Sequence, residues 1–589
     1  MITLDFETEG IKGNPLVHPP KPCGLAVQYD DGQPAYLTGW ENMRNGVIRA
    51  YSSNQDLLFH NAPFDTRVAE HWFKTPMPAW ERIHDTMYIL YMVDPYAQSL
   101  SLKPSAERWL GEPPEEQDAL KDWILRNVPG ARPSDWGAFI SLAPTDIVEP
   151  YAKGDVHRTY TLYKKLRPLV PTEAYDRERR LMPILVRSSQ RGVRIAREAL
   201  GEAIDKYSVS LEAADSLLRA ALCTPTLNPN SGAELATALL AQGYLGKDPW
   251  LTPTGKVQTN KKALEAQITD KSILNLIRYR QALDTCLGSH MIPWYTLSEE
   301  DGRVHAEWNQ VRNTDHGRQG TRTGRMSCAR PNLQNPPTEF DFDPPPNLPG
   351  MPVLRRFFLP EPGHVWGKRD FSGQEVRIAA HFEDDILMQA FQADPNLDAH
   401  ELARVKILET TGQDFERKQV KITAFQIIYG GGAPAIAGQV GCSLGEASAL
   451  RDAYLSAMPG IRDLQRATKN RGYANESIQT WGGREYYKEP AKMIKGSMRS
   501  FEYKLLNYLI QGSAADQTKQ CMNDWDDIRD PEDVFLIQVH DEINISMPIE
   551  RWEQSMATLK QAMDQPLFDV PMRSEGFVGE NWADIKECE

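Results

Sequence analysis

The chain has 589 residues, too many for one hydrophobic core, so three or four domains are expected. Its 41% hydrophobic and 25% charged residues are ordinary for a globular protein, and no run of about 18 apolar residues marks a membrane span. A net charge of −14 argues against binding nucleic acid through bulk charge, although phosphate contacts need only a local basic surface.

The N-terminus, Met1-Ile2-Thr3-Leu4-Asp5-Phe6-Glu7, lacks the basic and apolar regions of a signal peptide and reads at once as a strand. A period of two puts Asp5 and Glu7 on one face, with Leu4 and Phe6 on the other. A second strand over residues 57–59 runs into His60-Asn61-Ala62-Pro63-Phe64-Asp65, which sets another acid at a strand-to-helix turn. Tyr151 and Asp155 are four apart in a helical stretch and share a face. Four acids converging from separate elements repel one another unless cations lie between them. Two Mg²⁺ ions about 4 Å apart meet that need and activate a water for attack on a phosphodiester.

A domain boundary is expected near residues 168–172, after a helix through 160–166. Amphipathic patterns such as 178–189 and 271–287 then predict an all-helical middle region to about residue 300, beyond which strands and helices mix. The Pro-rich stretch 341–352 reads as an ordered loop inside a domain. The cysteines at 23, 223, 286, 328, 442, 521 and 588 contain no Cys-x-x-Cys pair. That argues against a disulfide framework or zinc site and for a reducing cytoplasm.

Two stretches are locally basic. Arg312, Arg318, Arg322, Arg325 and Arg330 face Asp315 alone, and Arg484, Lys488, Lys492, Lys495, Arg499 and Lys504 outnumber Glu485, Glu489 and Glu502. Near them lie three segments of interest. Residues 365–377 read as a strand ending at Asp370 followed by a helix carrying Glu375. In residues 417–430, helical geometry gives Arg417, Lys421, Phe425 and Tyr429 one broad face, where the cations suit a triphosphate and the rings a stacked base. Residues 534–547 read as a β-hairpin with His540, Asp541 and Glu542 at its turn. Asp370 and Asp541, each at a strand end, supply a second candidate metal pair. His540-Asp541 is also half of a hydrolase triad, a reading set aside because no Gly-x-Ser-x-Gly nucleophile elbow is expected.

Over about its first 165 residues the chain resembles the DEDD exonuclease superfamily in its tyrosine-containing subgroup. Asp5 and Glu7 match its first motif, Asp65 its second, and Tyr151 and Asp155 its third. The resemblance implies that Asp5, Glu7, Asp65 and Asp155 hold two metals, that Tyr151 with Glu7 orients the attacking water, and that the exonuclease is active. The three later segments resemble motifs A, B and C of family A (polymerase I-like) DNA polymerases. Thr323-Gly324-Arg325-Met326-Ser327 with Pro331-Asn332-Leu333-Gln334-Asn335 resembles that family's primer–template segment, and Asn507 with residues 510–516 resembles the helix before motif C. Leu227-Asn228-Pro229-Asn230-Ser231 and Thr254-Gly255-Lys256 are similar to its thumb, and Gly579-Glu580-Asn581-Trp582 to its ending.

The implied fold is an α/β multidomain chain, an RNase H-like 3′-5′ exonuclease domain followed by a right-hand polymerase. The expected division is 1–170 exonuclease, 171–315 mainly helical thumb, 316–400 palm, 401–500 fingers and 501–589 second part of the palm. The implied activity is template-directed addition of dNTPs to a primer 3′-hydroxyl by a two-metal mechanism, with proofreading. Asp370 and Asp541 would hold the polymerase metals beside Glu542, and Arg417 and Lys421 would bind the triphosphate. Phe425 suggests poor use of dideoxynucleotides, Tyr429 would stack near the insertion site, and Glu375 would crowd the sugar 2′ position. Arg325, Gln511, His540, Asn332 and Gln334 would touch the primer–template. The implied cofactor is Mg²⁺, two per site, with Mn²⁺ able to substitute. The implied partners are primer–template DNA, dNTPs and replisome proteins such as a helicase and a single-strand binding protein. A monomer with no membrane association is expected.

Phe371, Gly373, Gln374 and Gln426 depart from the family's usual motifs without removing a metal ligand or phosphate contact. A single-subunit RNA polymerase is disfavoured by Glu542, Glu375 and residues 1–165. A nuclease whose C-terminal part only binds DNA is disfavoured by the completeness of the second set. Because the chain begins directly in the exonuclease-like segment, a bacteriophage replicative enzyme is expected.

Overall fold

The computed structural model describes residues 1–246, 248–311, 320–494 and 496–588. Arg312, Asp315, Arg318 and Lys495 of the basic stretches lie outside them.

The N-terminal strand Ile2–Thr8 is central in a five-stranded sheet. Pro22–Tyr29 and then Ala35–Leu37 pair antiparallel on one side; Leu57–Phe59 and then Ile83–Asp85 pair parallel on the other. Leu4, Phe6, Leu25, Leu57 and Phe59 are buried in a core with Val68 and Tyr91. The 22-residue helix Thr145–Leu166 packs against the Ile2–Thr8 and Pro22–Tyr29 strands. One face of that helix is thereby brought over Asp5 and Glu7.

Helix Thr172–Arg191 begins where the domain boundary is expected, yet it serves two cores. Ala174, Tyr175, Met182 and Val186 belong to the N-terminal core, while Leu181, Ile184 and Leu185 belong to the core around helix Leu505–Ile528. Between them Glu178 pairs with Lys519 at 2.6 Å, each side chain 1% exposed. Gln310 completes the network, donating to Glu178 and accepting from Tyr88. A buried ion pair adds little net stability, but removing one partner strands the other, so it fixes the mutual placement of the two halves.

The middle helices Arg197–Ala221, Gly232–Ala241, Lys261–Gln267 and Lys271–Thr285 share one core. Three of them start on side-chain caps, Ser231, Asn260 and Asp270.

The second large sheet is antiparallel, in the order Val534–Val539, Glu542–Pro548, His364–Phe371, Ser574–Gly579, Ile585–Cys588. Phe535, Ile543, Ile545 and Met547 share a core with the Leu505–Ile528 and Trp552–Met563 helices, whereas Leu536, Ile537 and Trp366 join the core of the middle helices. Burial on both faces explains the unbroken apolar run 535–537, where a half-exposed strand would alternate. Helices Ala399–Thr411, Arg417–Ile428, Leu444–Ala457 and Pro459–Tyr473 form a separate layer beside this sheet.

Two candidate active sites

In the N-terminal site, one oxygen each from Asp5, Glu7 and Asp155 lies within 4.8 Å of the others. Asp65 stands in the first turn of helix Ala62–Phe73 and accepts the Phe6 amide at 3.0 Å, which fixes it against the same strand. Two carboxylate charges 4.8 Å apart repel by roughly 3 kcal/mol at an effective dielectric constant of about 20. Burial and this mutual repulsion push Asp5 up to about 7, and Glu7 and Asp65 rise well above the usual carboxylate range for the same reasons. Glu7 Oε1 and Asp155 Oδ1 are buried with no hydrogen-bond partner. Orphaned carboxylate oxygens converging from a strand and a helix are the donor set a divalent cation requires, so the residues fit such an ion. Tyr151 sits one helical turn before Asp155, its ring edge-on to Trp136 at 6.2 Å.

In the C-terminal site, Asp370 ends its strand directly opposite Glu542, and Val539 also pairs with Glu542. His540 and Asp541 therefore form a two-residue turn, with His540 at φ 57, the left-handed conformation such tight hairpins demand. That turn delivers Asp541 beside Asp370. Burial, then Asp541 and Glu542, raise Asp370 to about 7; Asp541 is also raised, chiefly by burial, against the opposing field of Arg325. Two adjacent carboxylates, both raised, fit a cation between them. Glu542 itself is buried and engaged on both oxygens, by Asn544 at 2.7 Å and Trp582 at 3.0 Å on one, and Lys368 at 3.3 Å and Arg355 at 3.5 Å on the other.

Helix Arg417–Ile428 stands across from this pair. Arg417 is exposed and bonds Asp398 at 2.6 Å; Lys421 is exposed and has no ion pair among the described residues. A pocket of about 360 Å³ runs between the helix and the end of the Asp370 strand, lined by Ser372, Gly373, Asp398, His400, Arg417 and Arg573. Phe425 and Tyr429 follow along the same face, ring centroids 5.9 Å apart. The Tyr429 hydroxyl donates to Glu375 at 2.7 Å, and Arg325 pairs with the other oxygen of the same carboxylate. Gln511 hydrogen-bonds Tyr429. Arg325 is aimed by its neighbour Gly324, whose φ is +81 and whose missing Cβ leaves room for the Arg484 guanidinium.

Two of the expected DNA contacts also have partners within the protein. Gln334 is buried and donates to the Gln538 carbonyl at 3.1 Å and side chain at 3.0 Å, while Asn332 accepts the Gln334 amide at 2.9 Å. They brace the underside of the hairpin that carries His540 and Asp541.

Comparison with known proteins identifies the relatives of this arrangement. Residues 197–584, more than half of the chain, match the family described as DNA polymerase family A. The chain belongs to that family. Within this family A polymerase, residues 40–171 also match a 3'-5' exonuclease family, a span that takes in Asp65, Tyr151 and Asp155. It is 29% identical over 435 residues to DNA polymerase I of Deinococcus radiodurans, covering 72% of this chain and 44% of that one. It is 26% identical over 625 residues to DNA polymerase DpoZ of Vibrio phage phiVC8, covering 96% and 93%. The chain spans about half the length of the first bacterial relatives it matches. In fold it is similar to the POL domain of Pol1 from M. smegmatis, solved with DNA primer-template and dNTP. The TM-score is 0.77 at 20% identity, over 99% of this chain and 95% of that one.

Three residues of this family A polymerase escaped the sequence reading. Lys103, on helix Leu102–Leu110, bonds Asp155 and stands 3.8 Å from the centre of the Tyr151 ring, an internal cation among the acids. Asp85 accepts the Asn61 and Ala62 amides at 3.1 and 2.7 Å and so caps the helix bearing Asp65. His400, beside Arg417 in the pocket, is lowered to about 4 by burial and by Lys421, so it is neutral at pH 7. Lys103 and His400 sit alone in ordinary helical stretches, where spacing carries no signal.

The motif departures also acquire reasons. Gly373 adopts φ +69 at the start of helix Gln374–Glu383. Gln374 is buried but satisfied by Gln517 at 2.9 Å, Ala514 at 3.2 Å and Thr518 at 3.2 Å. One expectation is corrected: a Gly-x-Ser-x-Gly spelling does occur, at Gly441-Cys442-Ser443-Leu444-Gly445. Ser443 is the N-cap of helix Leu444–Ala457 in a reciprocal capping box with Glu446, with no strand before it, so it is no nucleophile elbow.

Proposed function

We propose that this chain is a template-directed DNA polymerase that extends a primer with dNTPs and carries its own 3′→5′ proofreading exonuclease. The observation that carries the reading is the meeting of Asp370 and Asp541 across a pocket from the exposed cations of helix Arg417–Ile428, in a member of family A. Mg²⁺ held by Asp370 and Asp541, with Mn²⁺ able to replace it, would lower the pKa of the primer 3′-hydroxyl and neutralise the departing pyrophosphate.

The chain's own groups do the rest. Arg417 and Lys421 would grip the triphosphate, and neutral His400 would donate a hydrogen bond to it without adding charge. Tyr429 would release Glu375 as the helix closes on a paired base, leaving the carboxylate to exclude a 2′-hydroxyl. In the N-terminal site Asp5, Glu7, Asp65 and Asp155 would hold the metals that serve hydrolysis, with Tyr151 orienting the water. The primer–template and dNTP of the M. smegmatis neighbour, together with the exonuclease-family match, support both halves of the reading.

The deciding experiment follows a labelled primer–template with and without dNTPs. Asp370→Ala should lower extension about a thousand-fold, roughly 4 kcal/mol of barrier, while dNTP-free degradation continues. Extension that survives the substitution would refute the assignment.

A further inference from the structure

Between Glu489, which is buried, and Tyr503 the chain puts out a small exposed projection. Strands Lys492–Ile494 and Ser497–Arg499 form a two-stranded hairpin, and all six of these residues are exposed. An isolated two-stranded hairpin is marginal in water. This one also opposes like charges, because Lys492 pairs directly with Arg499, an arrangement that destabilises a ladder. Its other face carries Met493 opposite Met498, 64% and 65% exposed. None of these four side chains makes a hydrogen bond or ion pair among the described residues. One face therefore presents paired cations, and the other paired thioethers.

The base of the hairpin, by contrast, is rigidly tied. Glu489, 2% exposed, receives Arg322 at 2.8 Å and Lys504 at 2.9 Å, and also Tyr508. Tyr487 and Tyr96 join it to the exonuclease domain, with Tyr96 donating to the Tyr487 carbonyl at 2.6 Å. On the far side, Tyr503 closes against Gly430, just past the end of helix Arg417–Ile428, so tightly that no Cβ fits there. Arg499 is four residues from Tyr503, at most about 14 Å of chain. On the polymerase reading Arg417 and Lys421 take the triphosphate at one end of that helix, and the opposite end, at Tyr429 and Gly430, would face the template. The short tether through Tyr503 keeps the hairpin near that end.

We infer that the hairpin is a strand-separating wedge, with Lys492 and Arg499 holding template phosphates and Met493 and Met498 covering the end of the base stack ahead of the insertion site. Phosphate contacts suit the cationic face, and unbranched apolar side chains are the type that proteins insert between bases. Nucleic acid is the occupant that relieves both anomalies at once, because it neutralises the paired cations and covers the paired methionines. The inference rests on the polymerase reading above.

The test uses the full chain on two substrates: a primer on an open single-stranded template, and the same primer facing an annealed downstream strand. Met493→Ser/Met498→Ser should leave open-template extension within twofold and reduce extension through the duplex at least tenfold, and Lys492→Ser/Arg499→Ser should reduce extension through the duplex several-fold more than extension on the open template. Unchanged displacement, equal loss on both substrates, or a wild-type enzyme that stops at the downstream strand would each overturn the wedge. Loss of a protein partner with displacement intact would overturn it in favour of a protein-docking surface. Failure of the wild-type enzyme on the open template would instead fault the polymerase reading. Unchanged melting temperatures exclude a folding defect.

Discussion

In the exonuclease-like site the acids are drawn from one sheet and the helices on it, and an internal cation, Lys103, already stands among them. In the polymerase-like site Asp370 and Asp541 are only partly buried, and Arg417, which lines the pocket beside them, comes from a separate helical layer. The first site is assembled by the folding of its own domain. The second draws on two packed layers: helix Arg417–Ile428 shares a core with Phe371 and Val376 through Val420, Ala424 and Ile427, and Tyr429 bonds Glu375 across the cleft. A cutting site that accepts any frayed end can be pre-formed. A joining site that must test a base pair benefits from being incomplete until the pair fits.

The strongest test of this contrast is removal of the pre-formed set. Asp5→Ala with Glu7→Ala should lower primer degradation about a thousand-fold, roughly 4 kcal/mol, with extension unchanged in the same assay. Loss of both activities would mean that the two sites are not separate. Next in size is Glu375→Ala, which removes both the proposed 2′ barrier and the resting link to Tyr429. Ribonucleotide incorporation relative to dNTP should rise about tenfold, roughly 1.4 kcal/mol, in a competition assay, and an unchanged ratio would sink the steric role.

Lys103→Met probes the internal cation. Exonuclease turnover should fall roughly five-fold, about 1 kcal/mol, with Lys103→Arg recovering part of it and polymerisation untouched. A titration of Mg²⁺ for each variant separates lost positioning from altered metal affinity. The smallest effect concerns stability alone. His84 faces Tyr163, Tyr175, Arg179 and Asp56, and burial with Arg179 and Arg167 lowers it to about 3. The unfolded chain therefore takes up the proton first as pH falls from the ordinary histidine value of about 6.5 toward 3, and stability drops across that window. In His84→Gln this loss should be smaller by roughly 1 kcal/mol at about pH 5.5, read as a shallower dependence of melting temperature on pH.

Much of both sites was legible because their geometry is local. The period-two spacing of Asp5 and Glu7, the four-residue spacing of Tyr151 and Asp155, and the face from Arg417 to Tyr429 follow from strand and helix repeats alone. The turn at His540 and Asp541 was visible as two apolar strands flanking acids. What stayed hidden depends on chain segments far apart in sequence. Lys103 reaches Asp155 across 52 positions, and Gln334 reaches Gln538 across 204. A lone polar residue on a helix or loop carries no period, so nothing in the sequence separates a hydrogen bond across the core from a contact with solvent. The wedge hairpin was hidden for another reason: its cations read as part of a charged stretch, and only the register shows that they face each other.

Helix Thr172–Arg191 has a practical consequence for dividing the molecule. Because it contributes side chains to both cores and holds the buried Glu178–Lys519 pair, no cut beside it yields two self-sufficient pieces. A fragment that keeps the helix exposes Tyr175, Met182 and Val186, and a fragment that loses it leaves an ammonium stranded in an apolar interior. The two halves should therefore melt in a single transition, and heat that abolishes one of the proposed activities should abolish the other.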